Sequence, residues 1–239
     1  MTEQIISYAK ELFDIAITPE QSAKLTTLQN ELLAWNEQLN LTAITDPEAI
    51  QIRHFLDSIS LGLAVDFTAG LSVIDVGTGA GFPGLVIALL YPETTVTLLD
   101  STGKKLKFID YIIQELGLSN ARTLHGRAED VGHALATREQ YDVVTARAVA
   151  RLPALLEYCL PLARVGGVFV AMKGTTAYEE VDAASEALRV LGGRVDDVVA
   201  VQLPTMSYSH YLITISKIKP TPKAYPRKPG IPTREPLED

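Results

Sequence analysis

A single cysteine, Cys159, occurs in 239 residues. That scarcity excludes an internal disulfide framework and a multi-cysteine metal site, and it suits an intracellular protein. Cys159 stands among Leu155, Leu156 and Leu160 on an expected helix, which is the setting of a core thiol and not of a nucleophile. Positive charge is also in short supply: 21 Lys and Arg face 29 Asp and Glu, for a formal net charge of -8. A polyanionic partner would be repelled unless the basic residues were gathered on one face. No apolar run approaches the roughly 20 residues needed to cross a bilayer. The opening Met1-Thr2-Glu3-Gln4 has neither the basic start nor the apolar stretch of a secretory signal, so a soluble, cytoplasmic protein is expected. Internal repeats are absent.

What is present is organised around residues 72–90. A β-branched run, Val73-Ile74-Asp75-Val76, leads into Gly77-Thr78-Gly79-Ala80-Gly81-Phe82-Pro83-Gly84 and then into the apolar segment from Leu85 to Leu90. Strand, tight turn and helix is the physical reading. The glycines allow left-handed backbone and let a ligand lie against bare main chain, and the helix start is expected to offer unpaired N–H groups. A second apolar run ends in Asp100, at the spacing that places an acid on a ribose in a doubly wound fold. The turn reads G-x-G-x-G with Asp75 just before it, which suits S-adenosyl-L-methionine better than NAD.

Ahead of this unit, about seventy residues carry helical signals. Thr18-Pro19-Glu20-Gln21 is a capping box with proline at the first helical position, followed by Leu25, Leu28, Leu32, Trp35 and Leu39 at helical spacing. Asp46-Pro47 opens another helix, with Ile52, Leu56, Ile59 and Leu63 as its expected apolar stripe and Arg53, His54, Asp57 and Ser58 beside or opposite it. This block, 1–68, reads as a helical cap over the ligand side of a sheet.

From 69 to 218, strands and helices alternate. Strands are expected near 72–76, 95–100, 121–125, 141–146 and 165–172, and two more at 194–203 and 210–218 pair antiparallel because only a short loop joins them. The fold class is therefore α/β, a Rossmann-like, mostly parallel seven-stranded sheet with an antiparallel C-terminal edge. The remainder, 219–239, is proline-rich and is expected to form neither helix nor central strand. Lys217, Lys219, Lys223, Arg227 and Lys228 concentrate positive charge there on an acidic chain. Either a solvated terminus or an arm for RNA phosphates fits that composition.

Ligands in such sheets sit outside the carboxyl ends of the strands, so the residues just after each strand are the candidates. These are Gly77 to Phe82, Asp100 with Ser101, Gly126 to Glu129 with Ala128 and Glu129 beside the adenine, Arg147, and Lys173 with Gly174. Arg147 has small, apolar neighbours and needs a partner: a ligand carboxylate, a phosphate, or an ion pair with Glu129 or Asp142. The fourth strand is followed by Ala146-Arg147-Ala148-Val149, not by the Asn/Asp-Pro-Pro-aromatic turn common in methyl transfer to exocyclic amines, and no cysteine is placed to attack a pyrimidine. An acceptor with its own lone pair, such as guanine N7, needs neither device. No metal site is expected. An NAD-linked oxidoreductase and a non-catalytic RNA-binding module are the alternative readings.

Asn40-Leu41-Thr42-Ala43, Arg53-His54-Phe55-Leu56-Asp57-Ser58, Asp75 to Gly84, Leu99-Asp100-Ser101, Gly126-Arg127-Ala128-Glu129, Thr145-Ala146-Arg147-Ala148 and Tyr225-Pro226-Arg227-Lys228-Pro229-Gly230 together resemble the RsmG/GidB family. That resemblance implies a class I S-adenosyl-L-methionine-dependent methyltransferase acting on N7 of a guanine in 16S ribosomal RNA, at position 527, within the small ribosomal subunit. It implies cofactor contacts from Gly77, Phe82, Ala128, Glu129 and Arg147, with Gly79 in the same turn and Asp100 and Ser101 near the ribose. It further implies RNA contacts from Arg53, His54, Lys173, Lys223, Arg227 and Lys228.

Overall fold

The computed structural model describes residues 3–67 and 70–238, so the expected boundary between cap and sheet, at 68–69, lies outside the described residues. The strands are β1 (Ser72–Val76), β2 (Thr95–Asp100), β3 (Ala121–His125), β4 (Tyr141–Arg147), β5 (Ala163–Lys173), β6 (Gly193–Val201) and β7 (His210–Lys217). They form one seven-stranded sheet in the order β3-β2-β1-β4-β5-β7-β6. The first five run parallel, while β7 pairs antiparallel with both β5 and β6. Strand order reverses between β1 and β4, which puts the topological switch point beside the glycine turn.

Period-two alternation divides the core between the two faces of the sheet. Val73, Val96, Leu98, Val143 and Val170 join one apolar cluster; Ile74, Val76, Leu99, Val144, Phe169 and Ala171 join the other. The first face carries the N-terminal helices α1 (Glu3–Phe13) and α2 (Pro19–Leu39) as well as α5 (Gly84–Leu90) and α6 (Gly103–Glu115). Trp35 of α2 lies 5.7 Å from the Phe108 ring and 5.1 Å from the Tyr111 ring of α6, which ties the cap to the sheet's own helices. The opposite face is covered by α8 (Leu152–Cys159) and α10 (Ser185–Leu191), and Cys159 is fully buried there.

The segment opening at Asp46 departs from a regular helix. It runs as α3 (Pro47–Ile50), a π-helical stretch (Gln51–Leu56), α4 (Asp57–Ile59) and a 3-10 turn (Ser60–Leu63). Ile52, Leu56 and Ile59 of the expected stripe are buried, but the wider π turn shifts the register, so His54, Asp57 and Ser58 are buried as well and Leu63 is 42% exposed. His54 of the π stretch and Asp57 of α4 reach the carboxyl ends of the strands through Arg147 and His210, while α2 packs on α5 and α6.

The C-terminal segment is neither a solvated arm nor devoid of helix. Pro232 occupies the first turn of a short helix, α11 (Ile231–Arg234), where its missing N–H costs nothing. Arg138 donates to the carbonyls of Gly132, Thr221, Pro222 and Tyr225 and so binds the segment down. Arg227 straddles the fully buried Glu157 carboxylate through Nε and Nη2, and its backbone N–H bonds the same group at 2.6 Å. Lys217 is buried against the Leu160 carbonyl, the Thr221 hydroxyl and Glu139, and burial pushes its pKa down to about 8. Two of the five clustered basic residues are therefore internal, and Lys219, Lys223 and Lys228 stay exposed. None of this is local, because Arg138 and Glu157 lie far upstream in sequence.

The capping box at Thr18 forms in both directions: Gln21 N–H donates to Thr18 Oγ1 and Thr18 N–H donates to Gln21 Oε1. Thr18→Ala should lower stability by about 1 kcal/mol in urea denaturation, with cofactor-analogue affinity unchanged.

Candidate active site

The glycine turn is stitched to its own strands. Gly77 and Thr78 N–H donate to the Leu99 carbonyl at 2.8 and 3.0 Å, and Gly81 and Phe82 N–H to the Thr78 carbonyl. Asp75 Oδ2 accepts from Thr78 Oγ1 at 2.6 Å and from Gly84 N–H at 2.9 Å, while Asp100 Oδ2 accepts from Gly79 N–H at 2.9 Å. The expectation of unpaired N–H groups at the helix start fails for this reason: the donors that would cradle a pyrophosphate are spent. Asp75 is fully buried, its Oδ1 has no partner, and burial raises its pKa to about 6.

What the turn offers a ligand is a bare surface. A Cβ on Gly79 would approach only the Gly77 carbonyl, at 3.9 Å, whereas one on Gly77 would meet Val149 at 2.7 Å. Beside it opens a cleft of about 380 Å³ whose lining includes Gly77, Asp100, Lys105, Arg127, Glu129, Tyr158 and Thr233. Asp100 also accepts from Thr102 N–H at 2.8 Å, which leaves part of each oxygen's capacity for ligand hydroxyls. Asp100 and Glu129 offer carboxylate acceptors suited to the hydroxyls and amine of S-adenosyl-L-methionine, and Lys105 and Arg127 border the same cleft.

Phe82 and Arg147 stand apart from this cleft. Phe82 is 3% exposed and stacks on His54, ring centroids 4.7 Å apart and planes 7° from parallel. Arg147 Nη1 donates to Asp57 Oδ2 at 2.8 Å and to the Arg53 carbonyl at 2.9 Å, and Nη2 donates to His54 Nδ1 at 3.1 Å. Its partner is thus an acid of the cap, neither Glu129 nor Asp142. The guanidinium also lies 5.7 Å from the Phe82 centroid. Because arginine only donates, His54 Nδ1 must accept, so His54 is neutral and its Nε2–H donates to Thr42 Oγ1 at 2.9 Å. Burial, reinforced by the Arg147 charge, lowers the His54 pKa to about 3.

These groups border a second cleft, also about 380 Å³, lined by Ile44, Arg53, His54, Asp57, Arg147, Ala148, Met172, Lys173, Glu180 and His210. Ala148 borders both clefts and holds a left-handed φ of 56°, a strained geometry for a residue with a Cβ. Asp57 anchors this region by accepting from His210 Nδ1 at 3.0 Å on its other oxygen. Burial alone would raise the Asp57 pKa, but hydrogen bonds from His210 and Arg147 outweigh it and hold the carboxyl below its ordinary value. Lys173 is not solvated: its Nζ bonds the Ala150 carbonyl and Glu180, both at 2.6 Å.

Sequence reasoning named neither His210, Tyr158 nor Thr233. For His210 a signal existed: it opens β7, and antiparallel pairing of β7 with β5 returns it to the carboxyl ends of the parallel strands. Tyr158 and Thr233 carried no such signal. Among the described residues no cluster of His, Cys, Asp and Glu could hold a metal ion, and no helix is long and apolar enough to cross a membrane.

The neutral His54 has a consequence for stability. From pH 6.5 down to about 3 the unfolded chain binds a proton that the folded one refuses, so stability falls as pH drops through that window. Thermal melting between pH 7 and 4 should show a shallower decline for His54→Asn, whose carbonyl can still accept from Arg147.

A family model described as "rRNA small subunit methyltransferase G" matches residues 21–208. Ribosomal RNA small subunit methyltransferase G of Alkaliphilus metalliredigens is 46% identical over 93% of this chain and 93% of its own length. The protein of that name from Lysinibacillus sphaericus is 43% identical, with all of both chains covered. Among solved structures, a SAM-dependent methyltransferase from Aquifex aeolicus aligns with a TM-score of 0.53 at 19% identity, over 72% of this chain and 94% of that one. A 16S rRNA (adenine(1408)-N(1))-methyltransferase from Catenulisporales acidiphilia gives 0.53 at 17%, over 64% and 88%. The structural likenesses establish the class I methyltransferase fold, and the sequence relatives establish more: this chain belongs to the rRNA small subunit methyltransferase G family, S-adenosyl-L-methionine-dependent enzymes that methylate ribosomal RNA.

Proposed function

We propose that the chain transfers the methyl group of S-adenosyl-L-methionine to N7 of a guanine in 16S ribosomal RNA, the family target at position 527, by direct in-line displacement without a general base. The observation that carries this reading is the pair of adjoining clefts at the switch point, divided by Ala148. One has acids and bare backbone suited to a cationic nucleoside. The other is edged by Arg53, Arg147, Lys173 and His210 and suits a nucleotide.

In the first cleft, Gly77 and Gly79 present main chain, Asp100 and Ser101 serve the ribose, and Ala128 and Glu129 lie beside the adenine. Arg147 borders the second cleft and not the first, and Phe82 supports it through the His54 stack. The bound cofactor supplies an electrophilic methyl group on a sulfonium. Guanine N7 carries its own lone pair, so the chain's residues have positioning as their task, an effect worth about 7–11 kcal/mol when geometry is good. His54 is unsuited to proton transfer, since its basic nitrogen is occupied by Arg147.

For the RNA backbone, Arg53, Lys223 and Lys228 are the exposed cations, each open to a phosphate. His54, Lys173 and Arg227 act through the surfaces they hold in place. The substrate in the cell is the RNA within the small ribosomal subunit, and the enzyme works in the cytoplasm. The three-part division at 68–69 and 218–219 then separates an acceptor-side cap, a catalytic sheet and a C-terminal segment.

Purified protein given methyl-labelled cofactor and 16S RNA from a strain lacking the enzyme should place label on guanine N7, as read by nuclease mass mapping. Label at another atom, or in small molecules only, would contradict the reading. Asp100→Ala should weaken S-adenosylhomocysteine binding by roughly tenfold or more in calorimetry. His210→Ala should instead lower kcat/KM for RNA by roughly tenfold or more while analogue affinity stays within about twofold.

A further inference from the structure

The Glu129 carboxylate is not held by its own short helix, α7 (Ala128–Val131), alone. It is 5% exposed, and its Oε1 accepts from the backbone N–H of Gly230 at 3.0 Å, a residue 101 positions away. Among the described residues nothing donates to its Oε2. Gly230 has φ +83°, which turns its N–H inward. Three residues later, Thr233 Oγ1 bonds the Tyr158 hydroxyl at 2.7 Å, and both side chains border the cleft that contains Gly77 and Asp100. The whole stretch is clipped at its start by Arg227 on the fully buried Glu157 of α8.

A phosphate-binding arm would keep its arginine available. Here Arg227 is committed to an internal carboxylate through four hydrogen bonds, three from the side chain and one from the backbone. A segment that merely covered α8 would need only the Arg227–Glu157 contact, whereas this one also reaches Glu129 of the neighbouring short helix. Both alternatives leave the Gly230–Glu129 bond unexplained.

We propose that the segment 226–233, which reaches the cofactor cleft through Thr233, serves the cofactor, with Arg227 and Gly230 as positioning residues that aim the Glu129 carboxylate at the 6-amino group of the adenine. The proposal rests on the cofactor reading of that cleft. One Glu129 oxygen is fixed by the strap's main chain, and the other is left to accept from the ligand. Adenine recognition is therefore assembled from two distant parts of the chain, and the C-terminal segment belongs to the donor site as much as to the RNA.

The test is calorimetry on the full chain with S-adenosylhomocysteine and with S-inosylhomocysteine, which has oxygen in place of the 6-amino group. Wild-type protein should prefer the adenine compound. Gly230→Ala leaves the new Cβ free of contacts within 4 Å but strains the φ of +83°, and so shifts the N–H off Glu129. It should weaken S-adenosylhomocysteine binding by roughly tenfold, about 1.4 kcal/mol, and narrow the preference over the inosine compound.

Arg227→Gln alone would leave Glu157 buried without its cation, so it is combined with Glu157→Gln. The double variant should retain its urea midpoint and show the same loss of preference. Lys223→Ala, on the exposed side of the segment, should leave both affinities unchanged. Folded Gly230→Ala and double-variant proteins that bind both compounds as the wild type does would overturn the proposal. Absence of S-adenosylhomocysteine binding by the wild type would overturn the cofactor reading itself, and the proposal with it.

Discussion

Two aspartates at the ends of neighbouring strands close the glycine turn on itself. Asp75 and Asp100 take the N–H groups of Gly84 and Gly79, and the Leu99 and Thr78 carbonyls take those of Gly77, Thr78, Gly81 and Phe82. The chemistry of the donor site follows from that saturation. With most of its N–H groups committed, the turn presents chiefly shape, and in the proposed reading the polar recognition passes to the Asp100 and Glu129 carboxylates around it. Lys105 and Arg127 edge the same cleft as the two acids, so hydrogen-bond acceptors and shape, more than net charge, distinguish it.

A second carboxylate does comparable work at the cleft proposed for the acceptor. Asp57 bonds Arg147 from the end of β4 and His210 from the start of β7, so a single buried group joins the cap to two strands of the sheet. The π turn before Asp57 makes this possible, because it rotates His54 and Asp57 inward from where a regular helix would present them. Arg147 then fixes the neutral tautomer of His54, which in turn stacks on Phe82. The geometry of the acceptor cleft thus depends on an ion pair between parts of the chain 90 residues apart. Isolated buried pairs contribute little to stability, and this one serves to set relative position.

The sheet was legible from sequence because its signals are local. β-branched runs, glycine turns and the short β6–β7 loop set strand limits to within a few residues and imposed the antiparallel edge. The candidate residues after β1, β2 and β3 were legible for the same reason, since Gly77, Asp100, Ser101, Ala128 and Glu129 border one cleft. What local pattern could not give were partners. Arg147 needed an acid, but nothing in the sequence says that Asp57 lies nearer than Asp142. Composition made the C-terminal segment look like a free basic arm, and only the distant Glu157 and Arg138 turn it into a packed strap. The helical stripe at Leu63 failed because a π turn has no periodicity signature of its own.

The account's central claim is that the cleft beside the glycine turn, bordered by Asp100 and Glu129, is the donor site. A crystal structure with S-adenosylhomocysteine tests it most directly. The account predicts ligand density between Gly77, Asp100 and Glu129, with the homocysteine sulfur toward Ala148 and the second cleft left open to RNA. Density in the cleft lined by Arg53, Lys173 and His210, with the first cleft empty, would contradict it.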